Sequence, residues 1–562
     1  MPAHGSRSAR TLVIGIDGAT FDQIIPLVKG GRLPHIGALL EQGSWGPLRS
    51  TIPPVTAPAW SSFMTGVNPG RHGIYDFRYR DAGTYELRTN NLTMNRAPTL
   101  WEVLSRHDKR SCLINIPASW PPRPINGFWV TGILTPADAT TYTYPPELTE
   151  QIRRAIPDYE VWPASVFHPT GREREFLRTI EELTWKRVEL FRFLQTRAEW
   201  DTAMVVFMGA DQVQHAMWHY QDPTHPQYDP DAPAEFRDAI AHTYEVIDAA
   251  VGALLAEAGR ELNVFLVSDH GFGPLDDWFH INTWLIQEGL MVVKPHVKSR
   301  LKHLLFSLGF TPLNLYEWLL RLRLNRAVAH ATRHRREETF ALLRRLFVSF
   351  DDVDWSRTVA YSIGNAGPIF INLAGREPQG CVPPERYEET LEMVAERLRR
   401  ITDPRTGRPL VTEIVFGKDI YAGPYASNGP DIMVLMRDMR VCAYGNTQFS
   451  SHRWLTPVYG HTGWHRMDGI LVAAGPDIRQ GEQVAGARLW DVYPTILALM
   501  DVPIPAGLDG QPLLSLLRDA VRERIRYDSQ GLEQYYQGKE RLGYSAEEEE
   551  MMERHLKGLG YV

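Results

Sequence analysis

Aspartate and histidine side chains occur at spaced positions where they could bind divalent metal ions. The candidates are Asp17, Asp211 with His215, Asp269 with His270, and the two histidines His461 and His465. Carboxylate oxygens and imidazole nitrogens are ligands that such metals prefer. Together these residues could supply about seven ligands, enough for two ions.

Each of these positions also has an ordinary explanation. An aspartate after a strand usually caps a helix or forms a turn. Asp211 and His215, four residues apart, would share one face of a helical turn, where they could simply form a surface pair. A histidine near glycine and tryptophan, such as His465, is more often packed or exposed than metal-bound. Because these explanations would have to hold independently at every position, we favour a shared metal site.

A candidate nucleophile, Thr56, precedes a helical pattern that ends at Gly66. Three prolines restrict the backbone around it: Pro53, Pro54 and Pro58. A hydroxyl group before a helix could be an N-cap. It could equally be a nucleophile, because backbone N–H groups and the helix dipole favour phosphate at that end. The spacing leaves both interpretations open.

The elements that must position these residues are short apolar runs. Four runs bounded by glycine or proline are typical of buried strands: 11–16, 203–208, 262–268 and 470–474. Between them, 236–258 has helical spacing of its apolar residues. Strands that alternate with helices indicate an α/β fold with a mainly parallel sheet. Sites in such sheets lie beyond the carboxyl ends of strands, where Asp17, Asp211 and Asp269 all fall.

In this order, the motifs resemble the alkaline phosphatase superfamily, and most of all its nucleotide pyrophosphatase/type I phosphodiesterase branch. The motifs are Ile16-Asp17-Gly18, Thr56-Ala57-Pro58 followed by Thr65-Gly66, Pro69 and His72-Gly73-Ile74, Asp211 with His215, Ser268-Asp269-His270-Gly271, and His465 before Gly475-Pro476. The resemblance implies an alkaline phosphatase-like core over 10–290 and 440–515. Its central, mainly parallel sheet would be flanked by helices.

The resemblance also implies a division of the ligands between two divalent metal ions, usually zinc. One ion would be held by Asp17, Asp269, His270 and the hydroxyl group of Thr56, which is the family's nucleophile. The other would be held by Asp211, His215 and His465. His465 precedes the predicted strand at the family's usual interval, whereas His461 stays open as an alternative ligand.

The chain departs from its relatives near the nucleophile. Ala59 stands where the nucleotide pyrophosphatases have an asparagine that helps to hold phosphoryl oxygens, which weakens a specific prediction of nucleotide substrates. The Cys-x-Pro-x-Arg motif of sulfatases is absent around Thr56, and the serine nucleophile of alkaline phosphatase itself is replaced by threonine.

We therefore expect a two-metal phosphohydrolase that cleaves phosphodiester or pyrophosphate bonds through a phosphothreonine intermediate. The alternatives are a phosphomonoesterase, a phospho-headgroup transferase, or an inactive metal-bearing binding protein. No Lys or Arg lies between Thr51 and Val67. Since a monoester carries more negative charge than a diester, we expect diesters to be the better substrates.

Composition limits the partners and the compartment. The net charge of −7 argues against nucleic acid as the main partner. The family resemblance implies a small anionic phosphate ester as the substrate. Three separated cysteines cannot form a disulfide framework. We see no secretory leader and no run of 18 or more apolar residues, so we expect a soluble, cytoplasmic protein. The sequence does not predict an oligomeric state.

Two regions look inserted, and 562 residues are too many for one simple core. Residues 291–350 form a basic helical insertion, with twelve Lys or Arg against three Glu between Met291 and Leu346, a local charge of +9. This insertion could be a cap over the site, a solvated helical face, or a weak contact with an anionic membrane surface. Residues 351–440 form an α/β continuation or cap subdomain, and 516–562 form a helical tail.

Overall fold

Residues 9–81, 83–162, 171–259, 261–315, 346–458, 460–536 and 541–558 are described by the structure, which is a computed structural model. Residues 316–345 of the predicted basic insertion lie outside this range, as do the last four residues of the predicted tail.

The strands are numbered here in chain order. They are β1 (Arg10–Ile16), β2 (Ser44–Arg49), β3 (Arg78–Arg80), β4 (Leu87–Thr89), β5 (Ser111–Ile116), β6 (Gly127–Thr131), β7 (Thr143–Tyr144), β8 (Thr202–Phe207), β9 (Leu262–Val267), β10 (Gly271–Pro274), β11 (Asp277–His280), β12 (Ala360–Tyr361), β13 (Pro368–Ile371), β14 (Val411–Phe416), β15 (Ile432–Met436), β16 (Val441–Tyr444), β17 (Leu455–Pro457), β18 (Gly463–Arg466), β19 (Asp468–Ala474), β20 (Ala487–Arg488), β21 (Ile504–Ala506) and β22 (Tyr527–Gly531).

The α-helices are numbered in the same way. They are α1 (Phe21–Lys29), α2 (Pro34–Gln42), α3 (Thr56–Thr65), α4 (Pro69–His72), α5 (Leu100–Arg106), α6 (Leu148–Ala155), α7 (Glu173–Gln195), α8 (Gly209–Gln221), α9 (Ala234–Arg237), α10 (Ala239–Ala258), α11 (Ile281–Gln287), α12 (Val297–Ser307), α13 (Tyr387–Arg399), α14 (Gly417–Ile420), α15 (Val492–Leu499), α16 (Asp519–Glu523) and α17 (Ala546–Gly558).

Nine strands form the central sheet, in the order β20-β2-β19-β9-β1-β8-β5-β6-β7. β19 and β7 run against the other strands, which are parallel to one another. The predicted α/β fold with a mainly parallel sheet is therefore confirmed. The four apolar runs of the sequence correspond to β1, β8, β9 and β19.

Helices cover both faces of this sheet because its strands are buried on both sides. In β1, Leu12 and Ile14 pack with α1, α2, α7, α8 and α10 on one face, whereas Val13 packs with α3, α5 and α15 on the other. Such burial explains why the strands are continuous apolar runs and do not alternate with polar residues. The predicted helix 236–258 is divided at Asp238 into α9 and α10.

α10 is the one described helix that is long and apolar enough to cross a membrane, by length and composition. The mean hydropathy of its apolar window is 1.3, and 56% of that window is buried inside the fold. There α10 contacts α2, α7 and α8, so its apolar character is explained by packing.

A second sheet lies in the later part of the chain. Its strands follow the order β12-β13-β15-β16-β11-β17, and β14 pairs with β15. This sheet begins at Asp277 and ends at Pro457. Its first and last strands therefore lie within the segments 10–290 and 440–515, which the sequence analysis assigned to the catalytic core. The predicted tail 516–562 is not wholly helical, because β22 pairs with β21 there. The domain division itself stays a prediction.

Candidate active site

One edge of the central sheet gathers the predicted site residues. Asp17 follows β1, and Asp269 with His270 follows β9. Asp211 lies in the first turn of α8, directly after β8. Since these strands are parallel, their carboxyl ends meet at one edge.

His215 lies on α8, one turn after Asp211. His465 and Thr56 reach the same edge by other routes. His465 lies on β18, just before β19, and the antiparallel direction of β19 places its beginning beside the end of β9. β18 also pairs with β10, which sets His465 opposite Phe272 and close to His270. Thr56 is the first residue of α3, after β2, and the N-cap position of α3 belongs to Val55. α3 ends at Gly66, whose left-handed backbone (φ 69°) terminates the helix.

One group consists of His270 and three side chains that lie around its Nε2 atom. This atom lies 3.2 Å from Oδ2 of Asp269, 3.7 Å from Oδ1 of Asp17 and 3.4 Å from the hydroxyl oxygen of Thr56. The residues that the family resemblance assigns to one metal ion are thus brought together. All four side chains are buried.

A second group lies beside the first. Nε2 of His215 and Nε2 of His465 are 3.1 Å apart, and each is 3.4 Å from Oδ1 of Asp211. The imidazole rings of His270 and His465 stack at a centroid distance of 3.6 Å, so the two groups are contiguous. A metal could also be shared by Asp211, His270 and His465 on distance alone. We assign His270 to the first group because its shortest contact is with Asp269.

In each of the three aspartates, one carboxylate oxygen accepts a hydrogen bond and the other accepts none. The donors are Trp60 Nε1 to Asp17 Oδ2 (2.9 Å), Gln212 Nε2 to Asp211 Oδ2 (2.9 Å) and the backbone N–H of Gly18 to Asp269 Oδ1 (3.3 Å). The opposite oxygens are buried and have no hydrogen-bond partner among the described residues. Buried polar atoms are normally paired, so these three oxygens require another partner.

Backbone carbonyl groups set the tautomers of the three histidines. Nδ1 of His215 lies 2.9 Å from the carbonyl oxygen of Gly463, and Nδ1 of His465 lies 2.7 Å from that of Pro54. Nδ1 of His270 lies 3.1 Å from the carbonyl oxygen of Gly271. A carbonyl oxygen only accepts, so each Nδ1 carries the proton. Nε2 is then the nitrogen of each ring that is available to a metal ion, as in many metal sites.

The charges of the cluster act in opposite directions on its three aspartates. Burial raises the pKa of Asp211, but His215 and His465 lower it more, so it lies below its usual range. Burial raises the pKa of Asp17, and the neighbouring carboxylates of Asp269 and Asp211 raise it further. Burial, followed by the charge of Asp211, likewise raises the pKa of Asp269. Burial lowers the pKa values of His270 and His465, which favours neutral rings. Packed carboxylates beside neutral imidazoles favour a bound cation.

These distances fit metal coordination. Two ligands bound at about 2.0–2.1 Å to one tetrahedral zinc ion are separated by about 3.3–3.4 Å. The separations within both groups, from 3.1 to 3.7 Å, surround that value. The donor set of carboxylate oxygens and imidazole nitrogens also suits zinc.

His461 does not join either group. Its ring meets that of His215 edge-on at a centroid distance of 4.9 Å, beside the cluster. Ala59, where the nucleotide pyrophosphatases have an asparagine, is fully buried.

Sequence reasoning missed the residues that orient the ligands. Trp60 was part of a helical pattern with no assigned role, yet its indole N–H fixes Asp17. Pro54 was noted only as a restriction on the backbone, whereas its carbonyl group orients His465. These contacts depend on how α3 packs over the sheet, and no local spacing reports them.

The family model of type I phosphodiesterase / nucleotide pyrophosphatase matches residues 11–468 of the chain. Phosphonoacetate hydrolase from Sinorhizobium meliloti 1021, solved in complex with phosphonoformate, is 14% identical with a TM-score of 0.52, covering 87% of this chain and 94% of that one. An inactive variant of murine ectonucleotide pyrophosphatase/phosphodiesterase 5, in complex with AMP, is 12% identical with a TM-score of 0.49, covering 91% and 100%. No curated protein sequence matches the chain.

The fold and the match to the family model define a hydrolase of the alkaline phosphatase superfamily. Within it, the chain belongs to the type I phosphodiesterase / nucleotide pyrophosphatase family, because the family model covers most of its length. It is therefore an enzyme that acts on phosphoester bonds, in a family that uses divalent metal ions.

Proposed function

We propose that the chain is a two-metal phosphohydrolase that cleaves phosphodiester or pyrophosphate bonds through a phosphothreonine intermediate on Thr56. The carrying observation is the convergence of three unpaired, buried carboxylate oxygens on three imidazole Nε2 atoms. Such an arrangement without a cation would be strongly unfavourable, whereas two divalent ions would satisfy it.

The division of ligands follows the two groups of side chains. Asp17, Asp269, His270 and the Thr56 hydroxyl group would hold one ion. Asp211, His215 and His465 would hold the other. When bound, the ions would lower the pKa of the Thr56 hydroxyl group and stabilise the charge on the leaving oxygen.

The surroundings of Thr56 support its proposed role as the nucleophile. Its hydroxyl oxygen lies 3.4 Å from His270 Nε2, at the beginning of the ten-residue helix α3. The positive end of the α3 dipole favours a negatively charged phosphoryl group at this position. Burial of the surrounding side chains excludes bulk water, which strengthens these electrostatic effects.

The reaction would proceed by two displacements at the same phosphorus atom. In the first, the Thr56 oxygen bonds to phosphorus, its proton passes to solvent, and the leaving oxygen departs with the electron pair of its bond. In the second, a water molecule attacks the phosphothreonine. The bond from phosphorus to Thr56 then breaks, and the threonine oxygen regains a proton.

The stereochemical course of hydrolysis tests this mechanism. Two in-line displacements, each inverting phosphorus, give net retention with a chiral phosphorothioate diester. Direct attack by water gives inversion, and that outcome would remove Thr56 from the mechanism.

Elemental analysis of the zinc-reconstituted protein should show about two ions per chain, given the two ligand groups. Absence of metal after reconstitution would contradict the two-metal proposal.

The preference for diesters can be measured with one pair of substrates. We expect kcat/KM to be higher for bis(p-nitrophenyl) phosphate than for p-nitrophenyl phosphate, because no cationic side chain lies between Thr51 and Val67. A large preference for the monoester would favour the alternative of a phosphomonoesterase. Transfer of the phosphoryl group to an added alcohol, at a rate above hydrolysis, would favour the transferase.

We also propose that α12 contacts an anionic membrane surface. Four apolar side chains lie along one face of α12 and its end, with exposed fractions of 80% (Val297), 56% (Leu301), 56% (Leu304) and 76% (Leu308). Basic side chains lie on the same helix, which suits an anionic lipid surface. Sedimentation with phosphatidylserine-containing vesicles should capture the protein, and the pair Leu301→Ser and Leu304→Ser should abolish capture. Equal capture by pure phosphatidylcholine vesicles, or none by either, would contradict the proposal.

A further inference from the structure

A cavity of about 370 Å³ lies next to the candidate active site, and none of the predicted metal ligands lines it. Its walls come from residues 73–96, which follow the nucleophile helix, and from the second sheet with its loops. Pro53 forms part of the wall. The next residue, Pro54, accepts the hydrogen bond from His465, so the cavity and the metal ligands are separated by one residue of backbone.

Five arginines line this cavity: Arg78, Arg80, Arg96, Arg376 and Arg541. Two of them are neutralised by acidic neighbours. Arg80 forms an ion pair with Glu377 at 2.8 Å, and Arg376 pairs with Glu377 at 2.9 Å and with Asp431 at 2.6 Å.

Arg78 and Arg96 differ from these two. Within the part of the chain that the structure describes, neither guanidinium group has an acidic partner within 4.0 Å. Burial lowers the pKa of Arg78, and the carboxylates of Glu553, Glu549 and Asp76 only partly oppose this shift. The nearby carboxylate of Asp76 is occupied, because it accepts hydrogen bonds from the backbone N–H groups of Phe77 (2.6 Å) and Asn365 (2.8 Å).

An aromatic wall faces part of the same space. The rings of Tyr361 and Phe370 stack at a centroid distance of 5.3 Å with an interplanar angle of 16°. The hydroxyl group of Tyr75 donates to the carbonyl oxygen of Tyr425 (2.7 Å), which leaves the Tyr75 ring as a fixed surface. The cavity therefore combines unpaired positive charge with a rigid apolar face, at a volume within the usual range of ligand pockets.

We propose that this cavity binds the part of the substrate that is not attacked, and that this part carries a second anionic group held by Arg78 and Arg96. The inference rests on the proposed function, because it takes Thr56 as the place where phosphorus reacts. Guanidinium groups bind phosphate or carboxylate oxygens through paired N–H donors, and partial burial strengthens such contacts. The substrate class is thus a phosphodiester or pyrophosphate with an additional phosphate or carboxylate.

Binding of matched phosphonates tests the inference without turnover. The probes are α,ω-alkane bisphosphonates with two to six carbons and the alkyl monophosphonates of equal length, titrated calorimetrically into zinc-loaded protein. At least one bisphosphonate should bind about tenfold tighter than its monophosphonate, because charge-assisted hydrogen bonds add to affinity. Arg78→Gln and Arg96→Gln should each reduce this ratio to about twofold or less, while Lys at either position should retain part of it.

Arg88→Gln is the matched control, because Arg88 belongs to the neighbouring strand β4 and does not line the cavity. This variant should keep the full ratio. Equal binding of all bisphosphonates and monophosphonates by the parent protein would overturn the inference, even if bis(p-nitrophenyl) phosphate is hydrolysed. Failure to hydrolyse any diester would instead contradict the proposed function, and the binding ratio would still decide whether the cavity takes an anion.

Discussion

Two clusters of buried aspartates, which come within seven residues of each other at Asp269 and Asp276, have opposite surroundings. In the candidate metal cluster, Asp17, Asp211 and Asp269 lie close to one another and to three imidazole rings. In the second cluster, which we call the arginine cluster, the carboxylates of Asp276, Asp277 and Asp403 meet guanidinium groups. These belong to Arg405, Arg437 and Arg440.

The arginine cluster is fully paired. Arg440 donates from Nε and Nη2 to the two oxygens of Asp276, at 2.9 Å each. Arg405 bonds both oxygens of Asp277 and also reaches Asp403. Hydrogen bonds from Arg405 are the main reason that the pKa of Asp403 falls to about 2. Such a cluster ties the second sheet to the loop after β10 and needs no cation from solution.

The difference shows how acidic clusters can be assigned. Asp269 and Asp276 are seven residues apart, yet one has a raised pKa and an unpaired oxygen, whereas the other is held by a bidentate arginine. Burial of acids alone therefore predicts little. The discriminating observation is whether the protein supplies the counter-charge itself.

The largest effect is expected from Thr56→Ala, which removes the proposed nucleophile from the metal cluster. kcat/KM for bis(p-nitrophenyl) phosphate should fall by about 10³-fold or more, because the covalent route is lost. The apparent melting temperature should change little, since α3 has Val55 and not Thr56 at its N-cap. Thr56→Ser should retain measurable activity.

Thr65→Ala is the control for this experiment. Thr65 is buried at the other end of the same helix, where its hydroxyl group donates to the carbonyl oxygen of Ser61 (2.7 Å). It should retain nearly all activity. If Thr56→Ala keeps nearly parental activity, as expected for Thr65→Ala, Thr56 is not the nucleophile.

The second prediction compares the two clusters through the same substitution. Asp269→Asn should lower the metal content from two ions to about one and kcat/KM by about a hundredfold or more. The metal-free protein should be no less stable, because a buried, repelled carboxylate is replaced by a neutral amide that can still accept from Gly18.

Asp277→Asn should do the reverse. Metal content should stay unchanged, while the free energy of unfolding should fall by about 1.5–3 kcal/mol, because Arg405 and Arg437 lose a charged acceptor. The loss stays below that of a fully buried pair because the Arg405 side chain is half-exposed. Elemental analysis and thermal unfolding with and without chelator measure both results. Loss of metal from Asp277→Asn would contradict the assignment of metal binding to the first cluster alone.

Much of the metal cluster could be predicted from the sequence, for physical reasons. Apolar runs predict buried strands, and parallel strands bring their carboxyl ends together, so Asp17 and Asp269 were expected at one edge. The spacing of Asp211 and His215 predicted a shared helical face, which α8 provides. Order and strand position were sufficient because each strand is a continuous apolar run whose end is marked by a polar residue or a turn.

The orienting contacts and the second sheet could not be predicted in the same way. Trp60 reaches Asp17 only because Gly15 leaves room on β1, where an added Cβ would lie 2.7 Å from the indole ring. The second sheet contains short strands such as β11, with four residues, whose partners are distant in sequence. Long-range pairing of such strands has no local signal in the sequence. The predicted core boundaries at 290 and 440 were therefore set by the positions of the metal-site motifs and not by the second sheet.

The third prediction concerns Trp60→Phe, which removes the hydrogen bond to Asp17 but keeps most of the buried ring. Metal affinity or kcat/KM should fall by about 10–100-fold, as is typical when a group that orients a metal ligand is lost. Trp101→Phe is a suitable control, because Trp101 is buried on the same face of the sheet away from the ligands. Equal effects of the two substitutions would indicate that Trp60 acts only through packing.

The smallest effect is expected at His72, a buried histidine that belongs to neither cluster. Its Nδ1 accepts from the backbone N–H of Ile74 at 3.1 Å, so Nε2 carries the proton and donates to the hydroxyl oxygen of Ser62 at 2.9 Å. Both nitrogens thus have protein hydrogen-bond partners. Burial lowers the pKa of His72 to about 3, so the folded protein keeps the ring neutral.

The sign of the pH dependence follows from this lowered pKa. Below about pH 6.5 the unfolded chain binds a proton at His72 that the folded chain excludes, so stability falls as the pH falls towards 3. In His72→Gln this contribution is absent. The stability advantage of the parent over the variant should therefore shrink by about 2 kcal/mol between pH 7 and pH 5. This is the free energy of excluding one proton over the roughly 1.5 pH units between the unfolded pKa of about 6.5 and pH 5. Thermal unfolding of both proteins at the two pH values measures the difference and cancels the titration of the metal ligands. A constant difference would show that His72 binds protons equally in the folded and unfolded states, so that burial does not lower its pKa.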